Sequence, residues 1–301
     1  MALLADELGT RSDKGRRLSQ RSLGDASQNA RLALVFLPGF LEPAMIWHAM
    51  MQRLDPEGSM SLAIELPGHK EGDTEEDVAR QLATGAWLDE TATTIKRRFE
   101  GKPVMLVGHS TGGMLAIALA RRYPELVERL VLIGALTCGS RDRQLAPVAL
   151  LISNRIIGRL VFRALWRLWL ATPWTFATGF RLGARRSLTL PAKSEMRAHL
   201  RACDAMAARA CALWVIKSSV QGDLPHVTAP ILSLIGQRDR IVPAHHQKVV
   251  SDLAPDVRAF VFDAGHHLYA ELPREVEVAL RAWRAGETRD TIASLPREIP
   301  A

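Results

Sequence analysis

Cysteine is scarce in this chain, and its scarcity limits how the fold can be stabilised. Only three cysteines occur among 301 residues, at Cys138, Cys203 and Cys211. The last two are eight positions apart in a segment that we expect to be helical. That spacing corresponds to about 12 Å along a helix axis, too far for a disulfide bond. We therefore expect a reduced, cytoplasmic protein.

The chain has little that would direct it into or across a membrane. Residues 1–30 are rich in charge and have no apolar core of a secretory signal, so we expect a disordered lead that passes into an edge hairpin over residues 18–31. The longest apolar stretch, residues 145–170, is interrupted by Arg155, Arg159, Arg163 and Arg167. No uncharged run of about 18 residues remains, and no transmembrane helix is predicted.

Positive charge is in modest excess, but the basic residues are not arranged to bind nucleic acid. The 39 Lys and Arg against 32 Asp and Glu give a net charge of +7. The excess is arginine scattered through helical segments, without lysine runs or a recognisable nucleic-acid module, so we expect no nucleic acid partner. A length of 301 residues, 48% of them hydrophobic, suffices for one core with an inserted subdomain.

Short apolar runs alternate with helical patterns along most of the chain. Helices are predicted over residues 44–54, 74–99 and 114–122, and buried strands over residues 32–37, 61–66, 104–107, 129–133, 231–235 and 257–262. This alternation predicts an α/β fold with a doubly wound, mostly parallel sheet.

One long segment interrupts the alternation. Residues 139–227 have an almost entirely helical pattern, broken at Pro147, Pro173, Pro191 and Pro225. We interpret this segment as a helical cap inserted after the sixth strand of a core formed by residues 31–138 and 228–285. Residues 286–301 are expected to be a fraying tail.

The pentad Gly108-His109-Ser110-Thr111-Gly112 joins an apolar run to a helical pattern. A serine at such a strand-to-helix turn is typical of a nucleophile elbow, which holds the hydroxyl clear of its own backbone at a helix N-terminus. The alternative is a glycine-rich turn with an incidental serine. The strand and helix on either side favour Ser110 as a nucleophile.

A serine nucleophile needs a base, and nine histidines are available. His266 directly follows the last predicted strand, and Gly265 lets its loop bend; the neighbouring His267 is the rival. We expect His109 to pack away from the serine and His69 to be a turn residue. A surface position is expected for His245 and His246.

The base needs an acid, which we expect at the end of the strand before the one that delivers the histidine. Asp239 meets that condition. An ordinary salt bridge with Arg238 or Arg240 is the alternative role for this aspartate. The other position used for such an acid, after residues 129–133, offers no carboxylate, and so Asp239 is the predicted acid.

Attack on a carbonyl group creates an oxyanion that backbone N–H groups can stabilise. The N–H of Thr111 is one expected donor. The other is the N–H of Phe40, because Pro38 has no N–H and Gly39 permits the bend.

Taken together, these motifs resemble the α/β-hydrolase superfamily in its single-domain branch with a helical cap. The strings that carry the resemblance are LVFLPGF (34–40), ELPGH (65–69), GHSTGG (108–113), ARRYPELVERLVLIG (120–134), GQRDRIVP (236–243) and AGHHLYAELP (264–273). The resemblance implies a triad of Ser110, Asp239 and His266 with an oxyanion hole at Phe40 and Thr111, and it requires no metal or organic cofactor. Pro38 stands where this branch usually has histidine.

The predicted cap contains an arginine at every fourth position from Arg155 to Arg167, with apolar residues between them. Such a helix could be packed between neighbours with solvated arginine heads, could cover an acyl chain as a lid, or could contact an anionic membrane at its periphery. Four aromatic residues add apolar surface for a pocket: Trp174, Phe176, Phe180 and Trp214.

The expected activity is two-step acyl transfer to water, as in a carboxylesterase, lipase or lactonase. The substrate is expected to be an ester, thioester or lactone with a substantial apolar part. Two other classes share the same motifs: enzymes with non-hydrolytic chemistry on the triad, such as a lyase, C–C bond hydrolase, perhydrolase or acyltransferase, and weakly catalytic proteins that bind a small molecule.

Overall fold

The computed structural model describes residues 32–139, 146–154, 156–190 and 193–286. The predicted edge hairpin over residues 18–31, the tail after Gly286 and Arg155 lie outside the described residues. In the described part of the chain, four strands precede the cap.

Six parallel strands form one sheet in the order β2-β1-β3-β4-β5-β6. Their bounds are β1 Ala33–Leu37, β2 Ser61–Ala63, β3 Val104–His109, β4 Val127–Ile133, β5 Ile231–Gly236 and β6 Val257–Phe262. The strands β1, β3 and β5 are buried along their whole length, as continuous apolar runs predict for a sheet covered on both faces. The predicted doubly wound α/β sheet is confirmed.

The core helices cover both faces of this sheet. They are α1 His48–Leu54, preceded by a 3₁₀ turn at Ala44–Trp47, α2 Glu75–Thr84, α3 Ala86–Arg98, α4 Thr111–Arg122, α10 Ala244–Leu253, α11 Leu268–Glu271 and α12 Pro273–Ala285. The single helix predicted over residues 74–99 is wrong. Gly85 adopts a left-handed conformation with φ of 76°, which ends α2 and starts α3.

The cap consists of five helices between β4 and β5. They are α5 Ala146–Ser153, α6 Ile157–Ala171, α7 Pro173–Gly183, α8 Lys193–Ala202 and α9 Ala205–Lys217. Pro147 and Pro173 lie in the first turns of helices and do not break them, because a first-turn N–H has no partner within its helix. Cys203 lies between α8 and α9, so it does not share a helix with Cys211, and all three cysteines are free.

Parallel pairing brings the carboxyl ends of the strands to one edge of the sheet. Ser110 follows β3 at this edge, Asp239 follows β5 and His266 follows β6. The cap covers the same edge, since the N–H of His266 donates to the carbonyl oxygen of Gly183 at the end of α7, at 2.7 Å. No helix in the described ranges is long and apolar enough to cross a membrane.

Candidate active site

Ser110 lies on a strained turn between β3 and α4. Its backbone has φ of 50° and ψ of −117°, a conformation that L-residues rarely adopt. Two glycines allow the turn to pack closely: a Cβ at Gly108 would lie 2.6 Å from the carbonyl oxygen of Gly112, and a Cβ at Gly112 would lie 2.3 Å from that of Pro38. The strain and the close packing agree with the geometry expected of a nucleophile elbow.

Asp239 and His266 are in direct contact. The Nδ1 atom of His266 lies 2.7 Å from Oδ2 of Asp239, and both side chains are buried. The carboxylate is held by three further donors: the N–H groups of Ile241 and Val242 at 2.8 and 2.9 Å and the side-chain amide of Gln247 at 2.9 Å. The structure therefore brings the predicted acid and base together.

The alternative roles considered for these residues do not match the structure. Arg238 forms an ion pair with Asp263, at 2.5 Å, rather than with Asp239. His267 directs Nδ1 towards Glu42, at 3.1 Å. His266 is consequently the histidine that faces Asp239.

Burial lowers the pKa of His266 from its ordinary value, and the facing Asp239 opposes that change. The electrostatic effects of His109 and His267 also lower the pKa of His266. Because Nδ1 faces a carboxylate, it carries the proton of the neutral ring, which leaves the lone pair of Nε2 as an acceptor. His266 and Ser110 line the same cavity.

The loop after β1 is fixed on both sides of the Phe40 amide. The N–H of Gly39 donates to Glu42, at 2.6 Å, and the N–H of Leu41 donates to Nε2 of His69, at 2.9 Å. Phe40 and Thr111 both line the cavity that Ser110 lines. The two predicted oxyanion donors thus lie at one cavity.

His69 has a larger role than the turn residue that we predicted. It is fully buried, and because Nε2 accepts from Leu41, Nδ1 carries the proton and donates to the carbonyl oxygen of Pro67, at 3.1 Å. Burial lowers the pKa of His69 to about 4, which keeps the ring neutral. This neutral histidine fixes the loop that carries Phe40.

Glu42 is the residue that sequence reasoning missed. Its carboxylate is buried and accepts hydrogen bonds from Gly39 N–H, His109 Nδ1, His267 Nδ1 and Tyr269 Oη. Burial acts to raise the pKa of Glu42, but the charges and hydrogen bonds of His109 and His267 outweigh it and hold the pKa well below the ordinary value. Nothing local in the sequence around Glu42 signals these contacts.

His109 is buried as expected, but it takes part in this network rather than only packing. Its Nδ1 faces the Glu42 carboxylate at 2.8 Å, and its Nε2 faces the carbonyl oxygen of His266 at 3.0 Å. Both oxygens can only accept, so both ring nitrogens must donate and His109 is an imidazolium. Burial acts to lower the pKa of His109, but Glu42 raises it above its ordinary value.

Within the described ranges, one group of side chains could hold a metal ion. The ligand atoms of Glu42, His109 and His267 all lie within 4.8 Å of one another. In the observed arrangement, the carboxylate accepts four hydrogen bonds and His109 donates from both nitrogens, so an ion would have to displace these protons. The donor set fits a buried ionic network better than a metal centre.

The cavity beside Ser110 has a volume of about 510 Å³ and is lined mainly by apolar side chains from the core and the cap. These include Leu136, Ile152, Trp169, Phe180, Leu182 and Val215. Of the four aromatic residues expected at the pocket, Phe180 lines it. Phe176 is buried in the core, Trp214 is partly buried against the core, and Trp174 is exposed. His246 is half-buried and also lines the cavity, while His245 is exposed.

Known proteins share this sequence pattern and this architecture. The chain is 29% identical over 252 residues to pimeloyl-[acyl-carrier protein] methyl ester esterase of Aromatoleum aromaticum, covering 82% of this chain and 96% of that protein. It is 25% identical over 275 residues to Protein ABHD8 of Homo sapiens, covering 90% of this chain but only 59% of that protein.

Solved structures and a family profile agree with these relatives. The esterase EaEST from Exiguobacterium antarcticum superimposes with a TM-score of 0.61 at 16% identity, covering 84% of this chain and 91% of that one. The sequence profile described as the alpha/beta hydrolase family matches residues 34–279. The chain therefore belongs to the alpha/beta hydrolase family.

Proposed function

We propose that this chain is a serine hydrolase that cleaves an ester, thioester or lactone bond of a small, largely apolar substrate. The observation that carries the proposal is the buried Asp239–His266 pair at the cavity that also contains the strained Ser110. The relatives that are esterases support the same class of reaction. The apolar lining supports a substrate with a hydrophobic part.

In the proposed reaction, Ser110 Oγ attacks the substrate carbonyl carbon while His266 Nε2 takes the hydroxyl proton. Asp239 stabilises the imidazolium through Nδ1. The N–H groups of Phe40 and Thr111 donate to the oxyanion, each contributing about 3 kcal/mol in the transition state. His266 then gives its proton to the leaving oxygen or sulfur, and the acyl group stays on Ser110.

Water completes the cycle by the same steps in reverse. His266 takes a proton from water as the oxygen attacks the acyl carbon, and the proton returns to Ser110 Oγ when the acid product leaves. These steps use only side chains and backbone groups at the cavity.

A fluorophosphonate probe followed by intact-mass measurement tests the nucleophile. The wild type should gain the mass of one probe molecule less HF, because the serine oxygen displaces fluoride, and Ser110→Ala should gain none. Ser187→Ala, which changes an exposed serine in the cap, is the matched control and should label like the wild type. Labelling of Ser110→Ala to the wild-type extent would overturn the assignment.

A series of p-nitrophenyl esters tests the substrate class. We expect kcat/KM to rise from acetyl to medium-chain acyl groups, because a cavity of about 510 Å³ with apolar walls gains contact with each methylene. A monotonic fall of the rate with chain length would contradict an apolar acyl pocket. Lactone and thioester substrates of matched size then distinguish the bond type.

A further inference from the structure

The positive charge of the chain is concentrated in one part of the cap. Residues 156–202 contain nine Lys and Arg and one Glu, a net charge of +8. The whole chain has a net charge of +7, so the remaining residues together carry −1. Residues 156–202 therefore account for the net positive charge of the chain.

Helix α6 has an apolar face on its outer side. Ile157, Leu160 and Leu168 are 54%, 65% and 63% exposed, and their spacing of three and eight residues places them on one side of the helix. The opposite side contributes the buried Trp166 and Leu170 to the core. A helix that covers a soluble core normally has a polar outer side, so this outer stripe is unexplained by folding alone.

Exposed apolar side chains are also concentrated around this helix. Across the described ranges, every large apolar side chain that is more than half exposed lies between Leu150 and Leu182. They include Ile156 and Trp174, both about three quarters exposed. Leu182, at the end of α7, also lines the cavity beside Ser110.

A basic groove lies at the edge of the outer stripe. Arg163 and Arg167 of α6 and Arg201 of α8 line a second cavity of about 420 Å³. Over the described ranges, none of these three guanidinium groups pairs with a carboxylate, whereas Arg159 on the same helix pairs with Glu75. Asp204 lines the same groove, where it accepts from the N–H of Met206, so three exposed guanidinium groups share the groove with one carboxylate. The excess of positive charge fits the oxygens of a phosphate group.

We propose that this face of the cap, formed by the outer side of α6 and the Arg163/Arg167/Arg201 groove, docks on an anionic phospholipid membrane. Ile157, Leu160 and Leu168 enter the boundary between headgroups and acyl chains, and the arginine groove holds a lipid phosphate. An apolar stripe bordered by arginines is the pattern of a helix that lies in the plane of a membrane surface.

The combination of features favours a lipid surface over other occupants. An acidic protein would be held by the arginines but gives no reason for so many protruding apolar side chains. A second copy of this chain would bury the apolar stripe but would bring two basic grooves close together, which is unfavourable. An anionic bilayer satisfies both features at once. The inference concerns binding only and does not depend on the proposed hydrolysis.

Vesicle sedimentation with the full chain tests the proposal. Vesicles of phosphatidylcholine alone are compared with vesicles containing about one third phosphatidylglycerol, at 0.1 M salt. We expect binding at least tenfold stronger to the anionic vesicles. The Arg163→Gln/Arg167→Gln variant should weaken this binding by about fivefold for each charge removed, and Leu160→Ser/Leu168→Ser should weaken it by at least tenfold.

Matched control variants make the same kinds of substitution at surface positions outside the cap. Arg97→Gln/Arg121→Gln removes two exposed arginines, and Leu253→Ser/Val278→Ser removes two partly exposed apolar side chains; both should bind like the wild type. Circular dichroism melting confirms that each variant is folded. Absence of anionic vesicle binding, or equal losses in the control variants, would overturn the proposal.

Two further measurements distinguish a membrane from the other candidate ligands of this face, free phosphate and a second copy of the chain. Inorganic phosphate at tens of millimolar should compete only weakly with vesicles; if it saturates the groove while vesicles do not bind, the site is one for free phosphate and the proposal fails. Light scattering gives the oligomeric state. If Leu160→Ser/Leu168→Ser splits a dimer and vesicles do not bind, the face is an interface between copies and the proposal likewise fails.

Discussion

Glu42→Ala removes the carboxylate on which four donors converge, and we expect it to destabilise the fold strongly. The donors are Gly39 N–H, His109 Nδ1, His267 Nδ1 and Tyr269 Oη, at 2.6 to 3.1 Å. In a site this deeply buried, the donors have few replacement acceptors. Removing one partner of a buried ion pair costs about 3–5 kcal/mol, because the other charge is left uncompensated.

The free energy of unfolding should therefore fall by about 3–5 kcal/mol, a large share of the 5–15 kcal/mol typical of a folded domain. Glu42→Gln keeps the volume and one acceptor oxygen but removes the negative charge, so the His109 imidazolium is still uncompensated and most of the loss should remain. Glu90→Ala, at an exposed position, is the matched control and should change the free energy of unfolding by less than about 0.5 kcal/mol.

The pH dependence of this loss distinguishes an ion pair from simple packing. The pKa of Glu42 is depressed in the folded state, so its contribution is present above the unfolded value of about 4.5 and is lost as pH falls through the folded pKa. The pKa of His109 is raised, so its contribution is complete below about 6.5 and is lost as pH rises through the folded pKa. The difference between wild type and Glu42→Ala should be largest between those two values.

Urea unfolding at pH 5.5 and at pH 9 provides the measurement. A loss below about 1 kcal/mol at pH 5.5 would refute the view that the carboxylate holds a buried cation. A loss that does not change with pH would refute the charge assignment of His109 while leaving the hydrogen bonds in place.

The proposed triad and the strained turn at Ser110 give three further measurable effects. Burial, opposed by Asp239, lowers the pKa of His266, so kcat/KM should stay level as pH falls to about 6.5 and decline only below it; a midpoint above 6.5 would contradict this. Asp239→Asn should lower kcat for p-nitrophenyl esters by about 10⁴-fold, because the amide favours the wrong histidine tautomer; a loss under tenfold would count against the acid role. Gly112→Ala places a Cβ 2.3 Å from the Pro38 carbonyl oxygen and should destabilise the fold by about 2 kcal/mol in urea unfolding. Gly222→Ala, where a Cβ meets nothing within 4 Å, should leave the free energy of unfolding nearly unchanged. Equal losses of stability in the two variants would contradict the clash at Gly112.

The sheet could be predicted from the sequence because its signal is local. Continuous apolar runs mark buried parallel strands, and β6 was predicted with the bounds that the structure shows. The split at Gly85 could have been found from glycine in a helical pattern, but glycine also occurs inside helices at a modest cost. The strand β2 is shorter than predicted, since pairing with β1 ends at Ala63.

The Asp239–His266 contact could be predicted because each residue directly follows a strand, and parallel strands end at one edge. The Glu42 network could not. Its contacts join residues 67, 225 and 227 positions apart, and no periodic pattern connects such distant residues. The role of His69 could not be predicted either, because it accepts from the N–H of Leu41, which lies 28 positions away in the sequence.

The Glu42 network is part of the electrostatic environment of the proposed base. Burial is the largest influence on the pKa of His266 and lowers it, Asp239 raises it, and the charge of His109 lowers it. Glu42 keeps His109 protonated, and the two histidine rings have centroids 4.6 Å apart. A base must be neutral before it accepts a proton and stable once charged. Asp239 favours the charged form of His266, whereas the charge that Glu42 maintains on His109 favours the neutral one.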